Sequence, residues 1–187
     1  MTALYLGEYE EGASMAIAKG DKFLQEMPGN FLGMVDVFAR GICLAAAARS
    51  KNTRNNRKYK ASLKALTAKM KTWVQKGVLN AQHQSVLLQA EEAALRGKTD
   101  MATKFYRESI VLSTRAGFIH DAGLANERFA DFLLNVLKDK EGATFQMNEA
   151  IRCFTHWGAS EKVERLRKSY SDLCSPPRQI STQSVKQ

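Results

Sequence analysis

"ALRGKTDMA", residues 94–102, decides how this chain is read. Gly97-Lys98-Thr99 is how a phosphate-gripping P-loop ends, so the stretch is either the remnant of a nucleotide site or a turn between two helices. A P-loop needs G-x-x-x-x-G-K-[ST] between a strand and a helix, so that successive backbone N–H groups wrap the phosphates. The first glycine would stand at position 92, which is Glu92, and the preceding "SVLLQAEEAAL" has helical spacing. A carboxylate there repels phosphate. The turn reading accounts for each residue: Gly97 takes the left-handed backbone past a helix end, Thr99 caps the next helix, and Asp100 lies against its positive end.

Working outward, the same punctuation recurs. "KGVLN", "AGFIH" and "WGASE" place Gly77, Gly117 and Gly158 at intervals of 40 and 41 residues, and Ala61, Ala102 and Ala143 recur every 41 near the starts of the intervening helices. "LGEYEEG" and "LKDKEGA" fall in the slot that "LRGKTDMA" occupies. A more distant first copy has Gly7 at its turn, Gly12 in the small-residue slot and Pro28-Gly29 at its close, and the basic "SKNTRNNRK" (50–58) reads as an insertion after it. Apolar residues at Phe118, Ala122, Ala125, Phe129, Phe132, Leu133 and Val136 are spaced by threes and fours along one helix, and Ala102, Phe105, Tyr106 and Ile110 mark another. Periods of this size predict stacked helical hairpins of tetratricopeptide or related type.

Composition fits that class. The 187 residues are 44% apolar and 25% charged, ordinary for a globular domain. The longest apolar run, "GICLAAAA" (41–48), falls short of the roughly 18 residues a membrane span needs, and the early acidic residues do not suit a secretory leader. The expected location is the cytoplasm, with Cys43, Cys153 and Cys174 as reduced thiols. The net charge of +9 is local: between Val37 and Ala90 no Asp or Glu occurs, while Arg40, Arg49, Lys51, Arg54, Arg57, Lys58, Lys60, Lys64, Lys69, Lys71 and Lys76 do. With Tyr59 and Trp73 interleaved, this segment is a solvated face, a dock for an acidic protein, or a nucleic-acid surface that tracks phosphates and stacks bases. Arg54, Arg57, Lys58 and Lys60 are its candidate contact residues.

Other chemistry finds weak footing. His120-Asp121 has the residue types of a metal-dependent phosphohydrolase, but the chain has three histidines, and a helix start with Asp121 in its first turn explains the pair. Cys153 and His156 make half of a zinc site with no second half. No catalytic residue, cofactor or metal is expected.

Once the turns are in register, "AEEAALRG", "FYRESI", "AGFIHDAGLANE" and "WGASEKVERL", with "YLGEYEEG" and "MPGNFLG" before them, resemble one family over about residues 4–171. It is the tetratricopeptide-like region of large multidomain signalling proteins, which join a serine/threonine-kinase-like domain, an AAA-type ATPase, helical repeats, often a GAF domain, and a sensor histidine kinase. The resemblance implies that phosphoryl chemistry belongs to neighbouring domains, that His120 is a helix-start residue and not a phosphoacceptor, and that this region serves interaction and relay in signal transduction. The expected architecture is all-α: a right-handed array of about four antiparallel helical hairpins over residues 1–171, the first incomplete and so with an uncapped apolar face, then a disordered polar tail or linker over 172–187. The abrupt start and the tail "SPPRQISTQSVKQ" match a fragment of a longer protein. Its partners would be a protein or the flanking domains, with nucleic acid second and no membrane. Asn126, Glu127 and Asp131 are candidate residues of the concave groove, with Arg96 and Lys98 nearby at a turn.

Overall fold

The computed structural model describes residues 2–26, 29–50 and 56–174, the side chains of residues 2 and 3 excepted. The described residues contain helices and turns and no strand. The helices are α1 (Thr2–Leu6), α2 (Tyr9–Lys19), α3 (Lys22–Glu26), α4 (Phe31–Arg49), α5 (Asn56–Gln75), α6 (Gln82–Leu95), α7 (Thr99–Arg115), α8 (Ile119–Phe132), α9 (Lys140–Trp157) and α10 (Ser160–Ser169). A 3-10 turn, Leu79–Ala81, leads into α6, and a π turn, Leu133–Leu137, ends α8.

Short turns force consecutive helices to pair. Gly77, Gly97, Gly117 and Gly158 all have φ between +71° and +93°, a region glycine enters at little cost. At each, the glycine N–H and the next residue's N–H donate back to the last helical carbonyls: at Gly97, to Ala94 and Ala93 respectively. This is the closure that ends a helix with its orphan carbonyls satisfied. Lys138, φ 61°, fills the matching place after α8, so left-handed residues recur at about 20-residue intervals from 77 to 158. Thr99, expected as a cap, is instead the first helical residue; Lys98 holds the cap position and no side chain caps the helix. Asp100 lies in the first turn as expected.

Within the pairs, α4 packs on α5, α6 on α7 and α8 on α9; α4 also meets α6, and α6 meets α8, so these three run through the middle of the fold. Residues 121–130 of α8 are buried on every side. The outer helices show one buried stripe each: Ala102, Tyr106, Ser109 and Ser113 on α7, and Ala143, Met147, Ala150 and Phe154 on α9. These two sets are identical in spacing and 41 residues apart. On α5 the same spacing is carried by Tyr59, Leu63, Leu66 and Met70. Ala61, expected in the small-residue slot, is exposed, because Tyr59 occupies it and α5 runs nearly a turn longer before its glycine. In α2 the buried small residue is Ala13 and not Gly12.

Helix α4 is long and apolar enough to cross a membrane by length and composition, with a mean hydropathy of 1.7, although its sequence is broken by Asp36 and Arg40. The shorter run found in the sequence understated it. Since 72% of that window is buried inside the fold, it behaves as a core helix. The five-residue α1 rests on α4 and α10, with Leu4 buried. An open cleft of about 530 Å³ lies between α2 and α4, where Met15 and Leu32, more than half exposed, stand among Glu8, Glu11, Lys19 and Asp36. At the other end the packed body reaches past residue 171, since Leu173 joins the core.

Candidate functional site

Three groups of polar residues were candidates, and the structure treats them differently. The first is the Gly97-Lys98-Thr99 turn. It joins two helices, and the N–H groups of Arg96, Gly97 and Lys98 all donate to carbonyls of α6. These three amides, which a P-loop would aim at phosphate, are therefore already engaged.

The second is the basic segment. Arg54 lies outside the described residues, as does Lys51. Arg57, Lys58 and Lys60 are exposed on α5, joined by Lys64 and Lys71 and, just past the helix, Lys76. Three of the cations counted in the sequence are engaged by carboxylates of the fold. Arg40 pairs with Asp36 at 2.9 Å and Asp21 at 3.2 Å, and Lys69 with Asp21 at 2.5 Å. Hydrogen bonding from Lys69 outweighs burial and holds the Asp21 carboxyl below its usual pKa. Arg49 points inward. Tyr59 is buried, its hydroxyl donating to Glu10 at 3.1 Å, and Trp73 packs against the core, so neither offers a free ring for base stacking.

The third is the set on α8. Asn126 and Glu127 do not line an open groove: both are buried, with Asn126 Nδ2 donating to the Ala122 carbonyl at 2.8 Å. Glu127 Oε1 accepts from Tyr9 at 2.9 Å and from Lys162 at 2.7 Å, tying α8 to α2 and α10. Burial and then the Glu127 carboxylate push the Tyr9 phenol well above its usual value, so it stays protonated and donates. The Arg128 guanidinium lies 5.2 Å over the Tyr9 ring, a cation–π contact. The reason for the correction is closure: the N-terminal helices cover the face of α8 that one sequence could not show to be covered. Tyr5 completes the cover, edge-on to Phe154 and 5.4 Å from Trp157, which stacks in turn on His120.

Asp131 belongs to a buried charge cluster that sequence reading did not find. Glu91, fully buried on α6, accepts from Arg49 of α4 and from Arg128 of α8, the latter at 2.9 Å; Arg49 also reaches Asp131 at 2.8 Å and the Tyr106 hydroxyl at 3.0 Å. Burial by itself would raise the Glu91 pKa, but the Arg128 and Arg49 guanidiniums outweigh it and hold it below its usual 4.5. A second missed contact joins His83 Nε2 and Gln84 Nε2 of α6 to Asp121 Oδ2, at 2.7 and 3.0 Å, with Phe118 stacked on the imidazole. Asp121 is thus in the first turn of α8 and is also a buried bridge to α6. Cys153 is buried while His156 is exposed, and no group of three or more His, Cys, Asp or Glu suited to a metal occurs among the described residues.

The α8 set does structural work inside the fold, whereas the lysines of α5 and the Lys98 side chain at the turn reach solvent. Lys60, Lys64, Lys71 and Lys98 are exposed and have no carboxylate partner among the described residues. Compared with known proteins, the chain has no significant match to a protein-family model, to a curated protein or to a solved structure.

Proposed function

We propose that the chain is a non-catalytic interaction and relay module: a tetratricopeptide-like, right-handed array of about four antiparallel helical hairpins, the first incomplete. The observation that carries this reading is the recurrence of one buried stripe on α7 and α9, 41 residues apart, combined with left-handed turns about every 20 residues. Repeats of this kind bury each unit against its neighbours and leave extended outer surfaces for binding. By its resemblance the module is a fragment of a cytoplasmic, multidomain ATPase and histidine-kinase signalling protein, and its partner is a protein or a flanking domain of the same polypeptide.

A standalone repeat protein that binds an acidic partner or nucleic acid is the second reading, favoured by the exposed cations of α5. An ATP-hydrolysing role is disfavoured by the engaged amides at Gly97 and Lys98.

The test is photo-cross-linking in cells, with a benzophenone amino acid placed in turn at exposed positions 64 on α5, 107 on α7 and 145 on α9. The module reading expects discrete adducts with a protein, or with a flanking domain, from at least one position. No adduct from any position, together with ATP hydrolysis by the purified chain that disappears in Lys98→Ala, would contradict it.

A further inference from the structure

Four of the exposed lysines that have no carboxylate partner among the described residues lie close together. Lys60, Lys64 and Lys71 fall at i, i+4 and i+11 on α5, one face about 16 Å long at 1.5 Å per residue. That face looks onto the end of α6 and the turn into α7. Two adjoining cavities lie between them, of about 240 Å³ and 180 Å³, sharing Glu92 and Arg96. Lys60 and Lys64 line the first, Lys71 and Lys98 the second. Glu92 is the one acid in either wall, and it is bridged to Arg96 one turn away, so it does not neutralise the lysines. The lining also holds apolar side chains, Leu95 beside Lys60 and Lys64, and Met101 and Phe105 beside Lys71 and Lys98, the latter pair together with Thr67 and Gln89. Met101 is nearly half exposed.

Resting on the interaction-module reading, we propose that this groove between α5 and the α6–α7 turn is the docking site of an acidic, amphipathic protein segment. Its carboxylates meet Lys60, Lys64, Lys71 and Lys98, and its apolar side chains cover Leu95, Met101 and Phe105. Charge complementarity names the acidic component, since unpaired cations at helical spacing match Asp or Glu on a facing helix or extended segment. Single-stranded nucleic acid is held by a basic track with a series of exposed aromatic rings on which successive bases stack; here Tyr59 is buried, Trp73 packs against the core, and Phe105 is the one aromatic ring in the lining, itself partly buried, which favours a protein segment. The Gly-Lys-Thr turn thereby acquires a role in which Lys98 meets an anion through its side chain and not through the backbone.

The test is fluorescence anisotropy of the full chain with three labelled probes: a 12-residue peptide alternating Glu with Leu and Phe, the same peptide with Gln for Glu, and a 12-nucleotide single strand. The groove variant is Lys64→Gln/Lys71→Gln/Lys98→Gln. The control, Arg57→Gln/Lys58→Gln/Lys76→Gln, removes the same charge outside the groove. All six side chains are exposed, and unchanged circular dichroism checks that both variants fold. We expect the acidic peptide to bind, to weaken about tenfold or more in the groove variant, and to stay within about twofold in the control. The Gln peptide should bind at least about tenfold more weakly than the acidic one. Equal losses in the two variants, tighter binding of the oligonucleotide with displacement of the peptide, or no binding of the acidic peptide would overturn the proposal. Cross-linked protein adducts from positions 107 or 145 would still stand in that case, so a failed groove is distinguishable from a failed module.

Discussion

Glu91 is the residue on which the interior electrostatics depend. Two buried guanidiniums from different helices converge on it, and removing it leaves both without their main counter-charge. Glu91→Gln should destabilise the fold by about 3–5 kcal/mol, read from urea unfolding, whereas replacing the three together with Met, Leu and Met should recover most of that loss. The same group sets an acid limit. Its pKa is lower folded than unfolded, so its contribution is complete above the usual 4.5 and is lost as pH falls through the folded value. The unfolding midpoint should decline below pH 4.5, and the slope should flatten in Glu91→Gln; an equally steep acid slope in the variant would assign the decline to other groups. None of this cluster was legible in the sequence. Arg49 reads as one more cation in a basic run, because its acids stand 42 and 82 residues away, too far for any local pattern to join them.

At the scale of the element, the turns were the legible part. Gly77, Gly97, Gly117 and Gly158 announce left-handed backbone by residue type alone, and all four adopt it. The fifth place, Lys138, adopts it too but could not be foreseen, since a lysine gives no such signal and the π turn before it adds a residue to the closure. A non-glycine residue in that conformation costs about 1–2 kcal/mol, partly offset by the extra freedom glycine loses on folding. Lys138→Gly should therefore raise stability by about 0.5–1 kcal/mol, seen as a Tm higher by a few degrees; an unchanged or lower Tm would mean that the Lys138 side chain holds the turn. The register of α5 was misread for a related reason. Glycine at the turn fixes where a helix ends, whereas the buried stripe is fixed by packing, and the large Tyr59 takes the place that Ala102 and Ala143 take in the later helices.

Across the whole molecule, helical class and repeat period followed from spacing, but the closing contacts did not. Tyr9 meets Glu127 across 118 residues, and Arg165 reaches the Leu6 carbonyl across 159. Contacts so distant carry no local pattern, and the first of them holds Glu127 in the interior. They also change the expected energetics. A simple repeat array couples only neighbours and can unfold in stages. Here the Glu91 cluster joins α4, α6 and α8, and Glu127 ties α8 to both α2 and α10, so the described body should unfold as one unit. The chain's two tryptophans report on opposite parts: Trp73 on α5 against the core, and Trp157 at the end of α9 beside Tyr5 and His120. The direct measurement is urea unfolding followed by fluorescence in Trp73→Phe and in Trp157→Phe, each referenced to circular dichroism of the same variant. The account predicts that fluorescence and circular dichroism coincide in midpoint and slope in both variants. A Trp157 transition that runs ahead of the loss of helix would contradict it, by showing that the closing contacts do not bind the helices into a single body.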